Sequence, residues 1–226
     1  MKKFAIIVAG GTGSRFGATI PKQFIVLCSK PLLMHSIETF HRVDADINII
    51  VVLPGEHLSL WSDLCKQYCF TIPHTVAEGG DSRFASVKNA LQTIPAAEGL
   101  VAVHDGARPL LTEQMVRDGF ATAEQCGTAV PVIPVTDSIR MLDREGSHAL
   151  NRESLVAVQT PQVFSLNLLK HAYATPFSPL FTDDASVVEH NGTPITLYKG
   201  NVRNIKITHP GDIRTAEALF IGNGEA

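Results

Sequence analysis

Several features that would declare a function outright are missing from this chain. No apolar run in its 226 residues exceeds strand length, so no membrane-spanning helix is expected. Its four cysteines, Cys28, Cys65, Cys69 and Cys126, contain no C-x-x-C pair. Cys65 and Cys69 fall i, i+4 on an expected helix beside Trp61, which reads as packing rather than metal or redox work. No Ser/His/Asp or Cys/His arrangement suggests a covalent nucleophile. An excess of basic residues is also lacking: 19 Lys and Arg stand against 22 Asp and Glu, a net charge of −3, so nucleic acid is not an expected partner. Internal repeats and low-complexity tracts are missing too. Hydrophobic content of 45% and charged content of 18% describe an ordinary globular chain of one domain. Met1-Lys2-Lys3 leads straight into an apolar run, so no signal peptide is expected. A reducing cytoplasm is the expected compartment.

Two familiar glycine loops are absent as well. The dinucleotide fingerprint needs G-x-G-x-x-G, but counting from Gly11 and Gly13 puts Phe16 where the third glycine belongs. The ribose-binding acid is missing from Leu32-Leu33-Met34-His35-Ser36. This disfavours a nicotinamide-dependent reductase. The P-loop needs Gly-Lys-Ser/Thr, and here Gly17 precedes Ala18-Thr19.

What is present is Phe4–Ala9, an apolar strand-like run, followed by Gly10-Gly11-Thr12-Gly13-Ser14-Arg15-Phe16-Gly17 and then Pro21-Lys22-Gln23. A loop this rich in glycine lets backbone N–H groups approach a phosphate, with Arg15 and Lys22 supplying cations just beyond it. Arg83, Arg108, Arg152 and Lys206 also sit beside turns. An acidic protein that places its cations there suits a small polyanionic substrate.

Strand-like and helix-like runs alternate. Strands are expected at 4–9, 47–53, 100–104, 129–135, 156–159, 195–198 and 205–208. Helices are expected near 32–40, 58–68, 82–91, 112–124, 166–174, 183–189 and 213–220, the sixth of them capped by Thr182. That alternation implies an α/β sandwich around a mostly parallel sheet, with ligands at the carboxyl ends of strands. Residues 136–154 break the rhythm: they are polar, turn at Glu145-Gly146-Ser147, and read as a hairpin leaving the body.

Five motifs occur in order: A-G-G-x-G-x-R with P-K-Q, His104-Asp105-Gly106-Ala107-Arg108-Pro109, Gln159-Thr160-Pro161-Gln162, Thr182-Asp183-Asp184-Ala185 and Asn204-Ile205-Lys206-Ile207-Thr208. Together they resemble the 2-C-methyl-D-erythritol 4-phosphate cytidylyltransferase family over residues 4–220. The resemblance implies a Rossmann-like nucleotidyltransferase sandwich with a protruding β-arm. It implies transfer of CTP onto a sugar-alcohol phosphate, with release of pyrophosphate, in non-mevalonate isoprenoid synthesis. It also implies Mg²⁺ or another divalent cation, and a homodimer whose 136–154 arm reaches the neighbouring site. Carried over residue by residue, Arg15, Lys22, Arg152 and Lys206 are the catalytic cations. Ala9, Gly10, Gly11, Thr12, Gly13, Gly79, Gly80, Asp81, Ser86 and Asp105 bind the nucleotide. Asp105, Arg108, Thr136, Arg152, Thr160 and Lys206 bind the acceptor, and Asp105 is the candidate metal ligand. His104 reads as strand-end packing. Gly10, Ser14 and Arg203 depart from the commonest pattern. The rival readings are a ribitol 5-phosphate cytidylyltransferase, which shares a similar loop and Q-T-P-Q, and a non-catalytic nucleotide sensor.

Overall fold

The computed structural model describes residues 1–10, 21–144 and 146–222. In chain order the elements are β1 (Lys3–Val8), β2 (Val26–Leu27), β3 (Lys30–Pro31), α1 (Leu32–Val43), β4 (Asn48–Leu53), α2 (Leu58–Gln67), β5 (Thr75–Glu78), α3 (Arg83–Gln92) and β6 (Leu100–Asp105). There follow α4 (Glu113–Cys126), β7 (Thr128–Pro134), β8 (Arg140–Asp143), β9 (Gly146–Ala149), β10 (Val156–Val158), β11 (Gln162–Ser165), α5 (Leu166–Ala172), α6 (Asp184–His190), β12 (Leu197–Lys199) and α7 (Gly211–Ile221).

One sheet runs β10-β7-β11-β6-β1-β4-β5, with β12 added beside β7. The β6, β1, β4 and β5 strands pair in parallel, as do β12 and β7, whereas β11 and β10 run antiparallel to their neighbours. Strand β1 shows why both faces are covered. Its side chains alternate, and all four central ones are buried apolar groups. Ala5 and Ile7 pack with Leu33 and Ile37 of α1, Trp61 of α2 and Phe120 of α4. Phe4 and Ile6 pack on the other face with Val87 of α3, Leu169 of α5 and Val188 of α6. A one-residue slip would exchange the two faces, so this pattern fixes the register. Val8 pairs with Asp105, which sets the ends of β1 and β6 side by side. Ala9 and Gly10 therefore leave the sheet next to Asp105 and Gly106.

The expected helices all form. The sixth is capped by Asp183 rather than Thr182: the Asp183 carboxylate accepts from the Ser186 N–H, and Ser186 completes a capping box. The small β2–β3 pair was not expected, and neither were two strands of the main sheet, β5 and β11. β5 is a short edge strand, and β11 begins inside Q-T-P-Q. The strand expected at 205–208 does not form. Its apolar pattern instead reflects burial of Ile207 in a third cluster with Leu27, Leu32, Leu110 and Ala216. Residues 136–154 do leave the sheet as a hairpin: among the described residues β8 and β9 pair only with each other, and both are exposed. No helix among the described residues is long and apolar enough to cross a membrane.

Candidate active site

Asp105 is the focus of the site. It is the last residue of β6, and its side chain is 12% exposed. Three cations converge on it. Lys206 Nζ is 2.8 Å from Oδ2, Arg108 Nε is 3.6 Å from the same oxygen, and Arg83 Nε is 3.4 Å from Oδ1. Burial alone would raise the Asp105 pKa, but Arg83 and Lys206, with Arg108, hold it well below the usual carboxylate range. Burial likewise opposes the charge on Arg83, yet the Asp184 and Asp105 carboxylates raise its pKa and keep the guanidinium charged.

The backbone beneath Asp105 is held by a chain of hydrogen bonds. The Asp105 N–H donates to Thr160 Oγ1 at 3.0 Å, and Thr160 Oγ1 lies 3.0 Å from His104 Nδ1. His104 Nε2 lies 3.2 Å from the Arg108 carbonyl, which can only accept, so Nε2 carries the hydrogen. Burial pushes the His104 pKa down to about 4, so the ring is neutral and Nδ1 accepts from the Thr160 hydroxyl. His104 is therefore a packed strand-end residue, as expected. The Thr160 hydroxyl is committed to this chain of bonds and holds the Asp105 backbone.

The remaining polar residues of the motifs are brackets. Gln159 donates to the Asn201 carbonyl at 2.9 Å and accepts from the Asn201 N–H at 3.1 Å. Asn204 donates to the Thr160 carbonyl at 2.8 Å, and its own carbonyl accepts from Arg108 Nη1 at 2.8 Å. These bonds lay the 201–206 segment across the end of β6 and deliver Lys206. Gln162 accepts from the Ala185 N–H and donates to Asp183, which ties α6 to the same region. Arg203, the departure from the family pattern, reaches the Leu219 carbonyl of α7, away from Asp105. The sequence reading quoted Gln159, Gln162 and Asn204 within motifs but assigned them no work. Arg83 was read as a cation beside a turn, and Asp184 as part of a motif, so their pairing was missed.

The turn before α3 forms the opposite wall. Ser82 caps α3 by accepting from the Ala85 N–H. Ser86 Oγ accepts from the Gly80 N–H at 3.1 Å, curling the turn inward. A Cβ on Gly80 would stand 2.6 Å from the Ala85 Cβ, so the turn needs glycine there.

Two cavities meet at Asp105. One, of about 310 Å³, is lined by Ala9, Gly10, Lys22, Gly80, Asp81 and Ser86. The other, of about 290 Å³, is lined by Arg108, Gln159, Thr160, Gln162, Thr182 and Asp183. Arg83, Asp105 and Lys206 line both. Gly79 stands behind Gly80, its N–H donating to the Leu53 carbonyl. Gly11, Thr12, Gly13 and Arg15 lie outside the described residues. Thr136 and Arg152 are not brought to either cavity. Both are exposed, and Arg152 Nη1 donates to the Thr136 carbonyl at the foot of the hairpin.

The donor set was weighed for a divalent cation. Among the described residues no group of three His, Cys, Asp or Glu side chains could hold a metal. A single carboxylate is nonetheless the donor Mg²⁺ uses when substrate phosphates and waters complete its shell, so Asp105 fits a cation that arrives with a nucleotide.

An α/β sandwich that gathers lysine and arginine around one carboxylate at the ends of its parallel strands, behind a glycine-rich turn, is a nucleotidyltransferase. The family model for 2-C-methyl-D-erythritol 4-phosphate cytidylyltransferase (IspD) matches residues 4–221, and the chain belongs to that family. It is 48% identical over 220 residues to the Bacteroides thetaiotaomicron protein of that name, covering 97% of this chain and 100% of the relative. Its fold is similar to that of the Thermus thermophilus cytidylyltransferase, with a TM-score of 0.75 and 31% identity over 97% of this chain and 98% of that one. The Francisella tularensis enzyme gives a TM-score of 0.81 and 26% identity, over 97% of this chain and 100% of that one.

Proposed function

We propose that the chain joins CTP to 2-C-methyl-D-erythritol 4-phosphate and releases pyrophosphate, with the nucleotide on the Gly80 side of Asp105 and the acceptor on the Arg108 side. The observation that carries this reading is the pair of cavities sharing Arg83, Asp105 and Lys206. A transfer between two anions needs a junction of this kind.

A phosphate monoester has its second pKa near ~6 and is largely dianionic at neutral pH. Its oxygen attacks the α-phosphorus without a general base, in keeping with a neutral, buried His104. Catalysis then rests on alignment and positive charge. Lys22 faces the triphosphate, and Arg15 carries the same task by resemblance to the family. Lys206 is 42% exposed and grips Asp105 through one flexible ammonium, so it turns to the acceptor phosphate at little cost. Arg83 and Arg108 stay on Asp105. Backbone groups of Gly79, Gly80 and Asp81 read the cytosine edge, with Ser86 shaping that turn. Asp105 would hold a Mg²⁺ that arrives with the nucleotide, and the ion would supply charge neutralisation there. Thr136 and Arg152 serve the acceptor of a second subunit: the 136–154 hairpin is a dimerisation element, and the site is completed in trans.

The test is pyrophosphate release with CTP and Mg²⁺, offering methylerythritol 4-phosphate and ribitol 5-phosphate in parallel. Turnover with the former alone is expected. Turnover with ribitol 5-phosphate alone would move the chain to polyol-phosphate metabolism, and CTP binding without pyrophosphate would make it a sensor.

A further inference from the structure

Behind the junction lies a second carboxylate that the reaction does not touch. Asp184, the first residue of α6, is fully buried, and both its oxygens are engaged. Oδ2 accepts from Arg83 Nη2 at 2.6 Å, and Oδ1 accepts from the Tyr173 hydroxyl at 2.6 Å. Tyr173 is 2% exposed and stacks on Phe84, with ring centroids 4.7 Å apart. Arg83 thus spans two carboxylates, Asp105 in front and Asp184 behind, and its planar fork allows both at once.

Helix ends do not need this arrangement. Ser82 caps α3, and Asp183 caps α6. Stability does not need it either, because a buried ion pair contributes little over a well-packed apolar replacement. What the arrangement does provide is a guanidinium that cannot follow an incoming phosphate. We propose that Asp184 and Tyr173 are positioning residues that lock Arg83, so that Asp105 keeps its place on the acceptor side when Lys206 turns away to the acceptor phosphate. This rests on the division of the two cavities proposed above. Arg83 and Asp105 also line the nucleotide cavity, but the base-reading turn is set by Ser82 and Ser86, so the CTP KM should move far less than the acceptor KM.

The experiment measures both Michaelis constants for wild type, Asp184→Asn and Tyr173→Phe, with thermal melts alongside. Asp184→Asn is expected to raise the acceptor KM about tenfold and to leave the CTP KM within twofold. Tyr173→Phe keeps the Phe84 stack and is expected to raise the acceptor KM about threefold; it decides the matter if Asp184→Asn does not fold. Loss of folded protein alone would lower kcat and move neither KM. An acceptor KM within twofold of wild type in both variants, or a CTP KM that rises in parallel, overturns the inference. A wild type without turnover sinks the reading of function and this inference with it, whereas an active wild type with unchanged variants sinks this inference alone.

Discussion

The end of β6 and the β8–β9 hairpin use the same side-chain types in opposite ways. At β6, Asp105, Arg83 and Asp184 are largely withdrawn from water and answer one another across 2.6–3.4 Å. In the hairpin, Asp143 lies 3.0 Å from His148 Nδ1, and Arg140 Nε donates to Ser147 Oγ at 2.8 Å, but all four residues are exposed. Desolvation makes the first set interdependent, so removing one member strands the others. Water screens the second set, so each member contributes little alone. The first region is built to hold a geometry, and the second, on our reading, to meet another subunit. Each variant below presses on that contrast.

The largest effect should come from joining the two regions across subunits. Lys22→Ala and Arg152→Ala should each lower turnover roughly 10²–10³-fold. Unfolding and re-forming the two inactive proteins together should restore about a quarter of wild-type activity, because half the dimers are mixed and each mixed dimer holds one intact site. Mixed dimers that stay inactive would confine the site to one chain and leave the hairpin without its catalytic role.

Within the buried set, Asp105→Asn should cost about 3 kcal/mol of stability, measured by urea unfolding, because three cations lose the carboxylate between them. Activity should fall with it. A change under about 0.5 kcal/mol would mean that the cluster is solvated enough to behave like the hairpin.

The layout of the fold was readable in the sequence because it follows from apolar spacing. The runs at 4–9 and 47–53 are too apolar to be anything but buried strands, and α1, α2 and α4 carry clear apolar faces. What escaped was set by tertiary contact. Gln162–Ser165 is a strand because β6 and β7 flank it, not because of its composition. Residues 205–208 show alternation that belongs to an irregular segment packed under α7. The site was legible where glycine and charge mark turns, as at Lys22, Gly80, Asp105 and Lys206. The brackets Gln159, Gln162 and Asn204 were not, since an amide's partners lie about 20 to 45 residues away. Nor was the link from Arg83 to Asp184, which spans 101 positions.

An effect of similar size concerns pH. Burial lowers the His104 pKa from 6.5 to about 4. Between those values the unfolded chain binds a proton that the folded chain refuses, so stability falls as pH drops from 6.5 to 4 and levels off below. The full loss amounts to about 3 kcal/mol. His104→Gln should flatten that slope in urea unfolding curves taken across pH 4–7, at the cost of a lower plateau. A wild-type curve already flat over that window would mean that burial does not keep the proton off His104.

The smallest effect should come from the hairpin itself. His148 and Asp143 are joined at 3.0 Å, with side chains 54% and 44% exposed. His148→Ala should change stability by less than about 0.5 kcal/mol, since solvent screens the pair and each side chain gives up freedom to form it. The same variant separates two roles for the hairpin. If the arm packs on a partner subunit, these side chains leave water there, and dissociation on dilution, measured by analytical ultracentrifugation, should shift even though unfolding does not. A variant that shifts neither places His148 on the solvent side of that contact and leaves Arg152 and Thr136, at the hairpin's foot, as the part that reaches the neighbouring site.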